Sequence, residues 1–269
     1  MAEKKEARLR ELLAGCDGAV IAFSGGVDST YLAKVAHDVL GNKVLMVTAA
    51  SPALPENELQ AAKNIAARYG FPHTCIRTNE LENELYCSNP PDRCYYCKRE
   101  IMEKMWQIAR EHGFDCVFDG ANVDDAGDFR PGARAAKELG VRSPLQEAGL
   151  TKEEIRSLSQ KYGLLTWNKP SSACLATRIP YGERITAEKL ARVGAAEAYL
   201  RTLGIEQVRV RQHQQLARIE VLPEDLPVVL GQKEQITDRL KALGFTYVTV
   251  DLQGYRTGSM NEVCTKGVD

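Results

Sequence analysis

The chain has 269 residues, 44% hydrophobic and 26% charged, with 35 basic against 36 acidic side chains and a net charge of -1. That is enough apolar chain for one large or two modest domains, and the charge balance provides no global basic field to draw it to nucleic acid. No apolar run reaches the length of a membrane span, and the charged start Met1-Ala2-Glu3-Lys4-Lys5 lacks an apolar signal core, so a cytoplasmic protein without a membrane partner is expected. In a reducing compartment, eight cysteines point to metal or catalytic use rather than structural disulfides.

Residues 3 to 15 read as an amphipathic helix with Leu9, Leu12 and Leu13 inward. The apolar run Ala19 to Phe23 reads as a buried parallel strand. It ends in Ser24-Gly25-Gly26, where the backbone can turn tightly and approach a ligand. Asp28, Ser29 and Thr30 then open a helix continuing through Leu32, Val35, Ala36 and Val39 at helical spacing. A strand, a glycine turn and a helix N-terminus make an anion site, because unpaired N–H groups and the helix dipole point the same way. The Gly-Lys-Ser/Thr of a kinase-type P-loop is missing here. Ser24-Gly25-Gly26-Val27-Asp28-Ser29 instead resembles the PP-loop of the ATP pyrophosphatase superfamily. That resemblance implies that the backbone N–H groups of Ser24, Gly25, Gly26 and Val27, with the hydroxyls of Ser24, Ser29 and Thr30, hold the phosphates of ATP, and that Asp28 holds Mg²⁺.

A second buried strand is expected over Lys43 to Thr48, a helix from Pro55 to Tyr69, and a third short strand around Cys75 and Ile76. The alternation of strands and helices predicts an α/β fold with a doubly wound parallel sheet. By analogy to the superfamily, main-chain groups near Thr48 read the adenine edge. Residues 78 to 98 read as irregular, followed by a helix from Lys98 to His112 and a fourth strand from Cys116 to Asp119. The Gly-rich acidic loop Gly120 to Asp128 then falls at the ligand edge, where Asn122 and Asp125 are candidates for a metal or a ribose. A short helix starts within Arg130 to Arg134, and Thr151-Lys152-Glu153-Glu154 spells a capping box. After a second loop, 163 to 185, the pattern becomes helix, hairpin, helix, strand. We expect a domain boundary near 184, dividing a nucleotide-binding domain of residues 1–184 from a small α+β module of residues 185–269.

Cys16, Cys75 and Cys116 lie in or beside apolar strands and read as small core residues, while Cys264 in the polar tail carries no signal. Cys94-x-x-Cys97 sets two thiols within one turn, and Cys174 lies in the second loop. With Cys87 these make a possible Cys₄ zinc set; three of them suffice for an iron–sulfur cluster, and spacing alone does not choose.

Four stretches taken together are more specific: the PP-loop, Asp119-Gly120-Ala121-Asn122-Val123-Asp124-Asp125, Ser172-Ala173-Cys174-Leu175-Ala176-Thr177-Arg178-Ile179-Pro180, and Val208-Arg209-Val210-Arg211. They resemble the ATP-dependent sulfur transferases of nickel-pincer-nucleotide synthesis, the LarE type. The resemblance implies adenylation of pyridinium-3,5-biscarboxylic acid mononucleotide at its carboxylates and their conversion to thiocarboxylates. One subtype sacrifices the sulfur of the cysteine matched by Cys174. The other holds a [4Fe-4S] cluster on cysteines matching Cys94, Cys97 and Cys174, all present here, and needs a sulfide donor. The resemblance also implies a homo-oligomer, a hexamer. Arginine forks suit phosphate, so Arg209 and Arg211, alternating on a strand, are assigned to the substrate phosphate, with Arg178 a second anion-binding candidate. Glu197 is a candidate cation ligand, and Tyr95 and Tyr96 are candidates for stacking on the pyridinium. A PP-loop tRNA thiolase, an ammonia-using ligase and a nucleotide-binding iron–sulfur sensor without catalysis are the competing readings.

Overall fold

A computed structural model describes residues 1–127, 131–256 and 259; Asp128, Arg130 and Cys264 lie outside them. In chain order the elements are α1 (Ala2–Ala14), β1 (Ala19–Ala22), α2 (Val27–Leu40), β2 (Val44–Ala50), α3 (Glu56–Tyr69), β3 (His73–Arg77), α4 (Glu84–Cys87), α5 (Arg93–Glu111), β4 (Cys116–Phe118), α6 (Pro131–Glu138), α7 (Pro144–Glu147), α8 (Lys152–Lys161), α9 (Ala187–Thr202), β5 (Val208–His213), β6 (Leu216–Val221), α10 (Leu226–Gly231), α11 (Lys233–Ala242) and β7 (Tyr247–Val250). They divide into two compact units. Met1–Glu80 with Asp92–Ser172 forms the first, and Leu81–Pro91 with Ala173–Asp269 the second.

The first unit is a parallel sheet in the order β3-β2-β1-β4. Ala19 pairs with Val44 on one side and Cys116 on the other, so β1 is central. Its residues alternate between two apolar faces. Ala19 and Ile21 join Tyr31, Leu32 and Phe118, with Leu9 and Leu13 of α1 in the same cluster. Val20 joins Val47 and Val117 against Met102 and Met105 of α5. A strand covered on both faces has no solvent side, which is why Ala19 to Phe23 is apolar throughout. This is the doubly wound α/β arrangement expected from the sequence.

Two local expectations need correction. Cys75 is exposed, because β3 is an edge strand with an alternating, largely uncovered side. The helix expected from Lys98 begins at Arg93, so Cys94 and Cys97 sit on its first turn rather than in a loop.

In the second unit, β5 and β6 form an antiparallel hairpin and β7 adds parallel to β6. The boundary expected near 184 falls inside this unit, which also takes in residues 81–91. Asn89 explains why. Its buried amide donates to the carbonyls of Ile179, Pro180 and Glu183, and Ile185 N–H donates to Cys87 O, so the two segments share one hydrogen-bond set. α9 packs on β5 through Glu197, which is fully buried, accepts both arms of Arg178 at 2.7 and 3.0 Å, and takes the Val210 N–H at 3.1 Å.

Two outcomes follow from this packing. Gly25 turns the chain between β1 and α2 at φ +65, and a Cβ there would stand 2.8 Å from Ala62 Cα; Gly70 has a similar φ of +66 but open space. A left-handed alanine costs roughly 1–3 kcal/mol by itself. Gly25→Ala should therefore lower unfolding stability more than Gly70→Ala in urea titrations; equal losses would show that the contact with Ala62 is unimportant. Burial would raise the Glu197 carboxyl, but the Arg178 hydrogen bond and charge, the Arg209 charge and the Val210 N–H outweigh it and hold the group below its ordinary value. A depressed folded value gives stability that is complete above the unfolded value of about 4.3 and is lost as pH falls through the folded value. In thermal melts, Glu197→Gln should be less stable than wild type at neutral pH, with the gap narrowing on acidification. A gap that stays constant with pH would contradict the ionised pair.

Candidate active site

The carboxyl ends of β1, β2 and β4 open onto a pocket of about 620 Å³, contained within the first unit. It lies where the chain leaves β1 in one direction and β4 in the other, the point at which parallel sheets commonly bind ligands. Ser24, Asp28 and Ser29 line it from the glycine turn and the start of α2. Gly26 is the N-cap of α2 and makes no side-chain cap, so the helix N-terminus keeps donors for an anion. Ser24 and Ser29 set the turn: their hydroxyl oxygens lie 3.0 Å apart, and Ser24 N–H donates to Ser29 Oγ at 3.3 Å. Gly120 crosses the same helix start closely, since a Cβ there would meet Ser29 N at 3.3 Å.

The acidic loop is built by its own side chains. Asn122 N–H donates to Asp125 Oδ2, Asp124 N–H to Asn122 Oδ1, and Ala121 N–H to Asp119 Oδ1. Asn122 Nδ2 then reaches Asp28 Oδ1 at 3.2 Å, tying the loop to the start of α2. Lys152 Nζ pairs with Asp28 Oδ2, while its backbone N–H donates to Asp124 Oδ2. Opposite, Lys98 Nζ stands 3.8 Å from Asp119 Oδ2. Four carboxylates, of Asp28, Asp119, Asp124 and Asp125, thus face two ammonium groups across the pocket. Such a mixture suits a divalent cation carried on a polyphosphate: hard oxygens for the ion, ammonium donors for the phosphates.

Thr48 also lines the pocket, but its hydroxyl is used internally. It donates to Phe23 O at 2.6 Å, and His73 Nε2 lies 2.8 Å from the Thr48 hydroxyl oxygen itself. With the Thr48 proton on Phe23 O, the imidazole donates from Nε2; burial, with Lys63 nearby, lowers its pKa and favours the neutral ring.

The structure therefore gathers Ser24, Asp28, Ser29, Thr48, Asn122 and Asp125 around one space. Gly25, Gly26 and Val27 shape the turn behind it. Thr30 is fully buried and its hydroxyl has no partner among the described residues, so it sits in the core rather than on the pocket wall. Lys98, Ile101 and Lys152 line the pocket without having been singled out in the sequence. Their signals were present but indirect: Lys98 follows Cys97, and Lys152 follows the capping Thr151.

Of the cysteines, Cys94 and Cys174 are exposed and Cys97 is half-buried. Cys94 and Cys97 belong to the first unit and Cys174 to the second. Tyr95 is already stacked, with the Arg134 guanidinium 4.1 Å from its ring centre and Tyr96 edge-on at 5.4 Å. Cys16, Asp115 and Cys116 bring their ligand-type atoms within 4.8 Å of one another. Burial, with the Cys16 contact, pushes the Cys116 thiol up. Both side chains are buried, as expected for core cysteines.

In the second unit, Cys174 caps the short turn Leu175–Arg178. Arg178, Arg209 and Arg211 are all buried. Arg211 forks onto Glu220 at 2.8 and 3.1 Å and donates to Thr177 O and Ser259 Oγ. Arg209 lies 5.4 Å from the Tyr255 ring centre and donates to Val208 O. The cations at Glu197 are the guanidinium groups of Arg178 and Arg201.

No helix among the described residues is long and apolar enough to cross a membrane. A family model described as NAD synthase matches residues 3–87, the stretch that carries the glycine turn. Over 99% of this chain, an uncharacterized protein of Synechocystis sp. is 49% identical, and the match covers 100% of that protein. An uncharacterized protein of Methanocaldococcus jannaschii is 30% identical over 88% of this chain and 90% of its own. The pyridinium-3,5-bisthiocarboxylic acid mononucleotide synthase of Lactiplantibacillus plantarum is 40% identical over 97% of this chain and 95% of its own. Identity of that depth over nearly the whole of both chains means that this chain belongs to the family of the pyridinium-3,5-bisthiocarboxylic acid mononucleotide synthase.

Proposed function

We propose that the protein is an ATP-dependent sulfurtransferase that adenylates the carboxylates of pyridinium-3,5-biscarboxylic acid mononucleotide and converts them to thiocarboxylates, releasing pyrophosphate and AMP. One observation carries the reading: the uncapped N-terminus of α2, the Asp28 carboxylate and two lysines face one pocket at the carboxyl edge of the sheet. In it, the N–H groups of Ser24, Gly25, Gly26 and Val27 and the hydroxyls of Ser24 and Ser29 belong to the phosphate cradle. Thr30, expected there as well, has its hydroxyl in the core and contributes through its N–H, which donates to Gly26 O and closes the first turn of α2. Asp28 would hold Mg²⁺, Asn122 and Asp125 would meet the metal or the ribose, and the main chain at Thr48 would read the adenine edge.

A carboxylate is a poor electrophile. Attack of its oxygen on the α-phosphorus expels pyrophosphate and leaves an acyl adenylate. A sulfur nucleophile then attacks the carbonyl carbon and AMP departs with the former carboxylate oxygen. Both steps concentrate negative charge on phosphate and carbonyl oxygens, which fixed donors stabilise. Lys98 and Lys152 are placed for that, and Arg209 and Arg211 are assigned to the substrate phosphate.

Cys94, Cys97 and Cys174 would hold a [4Fe-4S] cluster. The residue types support this reading: three thiols outside the core, two of them three residues apart at the start of one helix, in contrast to buried Cys16 and Cys116. When bound, the cluster supplies the sulfide that is transferred. Lys98 of the pocket wall follows Cys97 directly, both in the first unit, which supports sulfur delivery at this pocket. A sulfide donor and a homo-oligomeric assembly, a hexamer by the resemblance, complete the reading.

Anaerobic reconstitution should give about four irons per chain, lost in Cys94→Ala, Cys97→Ala and Cys174→Ala. One zinc per chain instead, or conversion of Cys174 to dehydroalanine after a single turnover, would overturn the cluster. Asp28→Ala should abolish pyrophosphate release with the pyridinium biscarboxylate while leaving the circular dichroism spectrum unchanged. Release at the wild-type rate would refute its role, and thiolation of tRNA without turnover of the mononucleotide would refute the substrate.

A further inference from the structure

Within the second unit, Arg178 of the Cys174 stretch makes five hydrogen bonds to described residues. The side chain is 1% exposed. Nε and Nη2 fork onto Glu197 at 2.7 and 3.0 Å, which fixes the plane of the guanidinium. Nη1 then donates to Ala173 O at 3.0 Å, Cys174 O at 3.1 Å and Thr177 Oγ1 at 2.8 Å. Cys174 O accepts twice more, from Thr177 N at 3.1 Å and Thr177 Oγ1 at 2.8 Å. Thr177 O is in turn held by Arg211 Nη1 at 2.8 Å. On the inner side, Leu175 and Ala176 are buried, and Leu175 packs so closely on α9 that a Cβ on Gly194 would lie 3.1 Å from its Cδ1. The residue before this set, Cys174, is exposed.

We infer that Arg178 is a positioning residue for Cys174: the Arg178–Glu197 pair fixes the backbone on either side of that cysteine and so aims its sulfur. This rests on the reading of Cys174 as the sulfur-bearing residue. A buried guanidinium is costly unless every arm is satisfied, and here one arm is spent on two carbonyls flanking the exposed thiol. An ammonium at this position cannot reproduce it. Lysine offers a point charge, whereas the planar fork of arginine reaches the Glu197 carboxylate and the loop carbonyls at once. Helix α9 thereby becomes the rigid base, and Glu197 the link between it and the thiol-bearing turn.

The test separates positioning from folding. In Arg178→Lys and in the milder Thr177→Val, hydrogen exchange of amides 175–179 should rise about tenfold, the expectation for loss of about one hydrogen bond, with residues 19–30 unchanged. In both variants pyrophosphate release should persist, while thiocarboxylate formation falls by up to about a hundredfold, as misplacing a reacting group does. Unchanged exchange over 175–179 in Thr177→Val, or equal losses of pyrophosphate release and sulfur transfer in that variant, would overturn the inference. Failure of the underlying reading looks different: Cys174→Ser would then retain sulfur transfer in an otherwise wild-type chain.

Discussion

The approach of Gly25 to α3 is the constraint on which the nucleotide pocket depends. With no side chain at that point, the chain leaving β1 bends back and α2 can begin immediately at Val27, its first turn aimed into the space above the sheet. Everything else at that edge is arranged around this helix start. Gly120 passes beside Ser29, Asn122 reaches Asp28, and Lys169, which donates to Gly25 O at 3.3 Å and pairs with Glu58 at 2.8 Å, braces the turn from the other side. The pocket is thus preorganised by backbone contacts, and its polar groups need little rearrangement to meet a charged ligand.

Charge is handled differently in the two units. In the first, carboxylates and ammonium groups face a solvent-connected pocket, where the paired Asp28 and Lys152 remain partly exposed. In the second, Arg178 and Arg211 are buried and closed on Glu197 and Glu220. Such pairs contribute little net stability but penalise any arrangement that separates them. They are better understood as fixing the one conformation of the loop behind Cys174 than as strengthening the fold.

Much of this was legible in the sequence. The apolar run Ala19 to Phe23, the Ser-Gly-Gly turn and the capping box at Thr151 each state a local rule that the fold obeys, and the last is present with both of its hydrogen bonds. What was not legible depends on partners distant in the chain. Arg178 looks like an anion ligand because its carboxylate partner, Glu197, lies on another helix. Lys152 gives no sign of meeting Asp28, which is 124 residues away. Asn89-Pro90-Pro91-Asp92 reads as loop, which hides the start of α5 at Arg93. Asn89 itself, buried and holding three carbonyls across the 81–91 and 173–185 segments, is an ordinary turn residue to sequence reasoning.

The central claim is that the acyl group is activated by adenylation in the glycine-turn pocket before sulfur arrives. Labelling the substrate carboxylates with oxygen-18 and following the label tests it most directly. The account predicts that each thiocarboxylate formed leaves one labelled oxygen in the phosphate of AMP and none in pyrophosphate. Label appearing in inorganic phosphate or pyrophosphate, or unlabelled AMP beside a thiocarboxylate product, would contradict it.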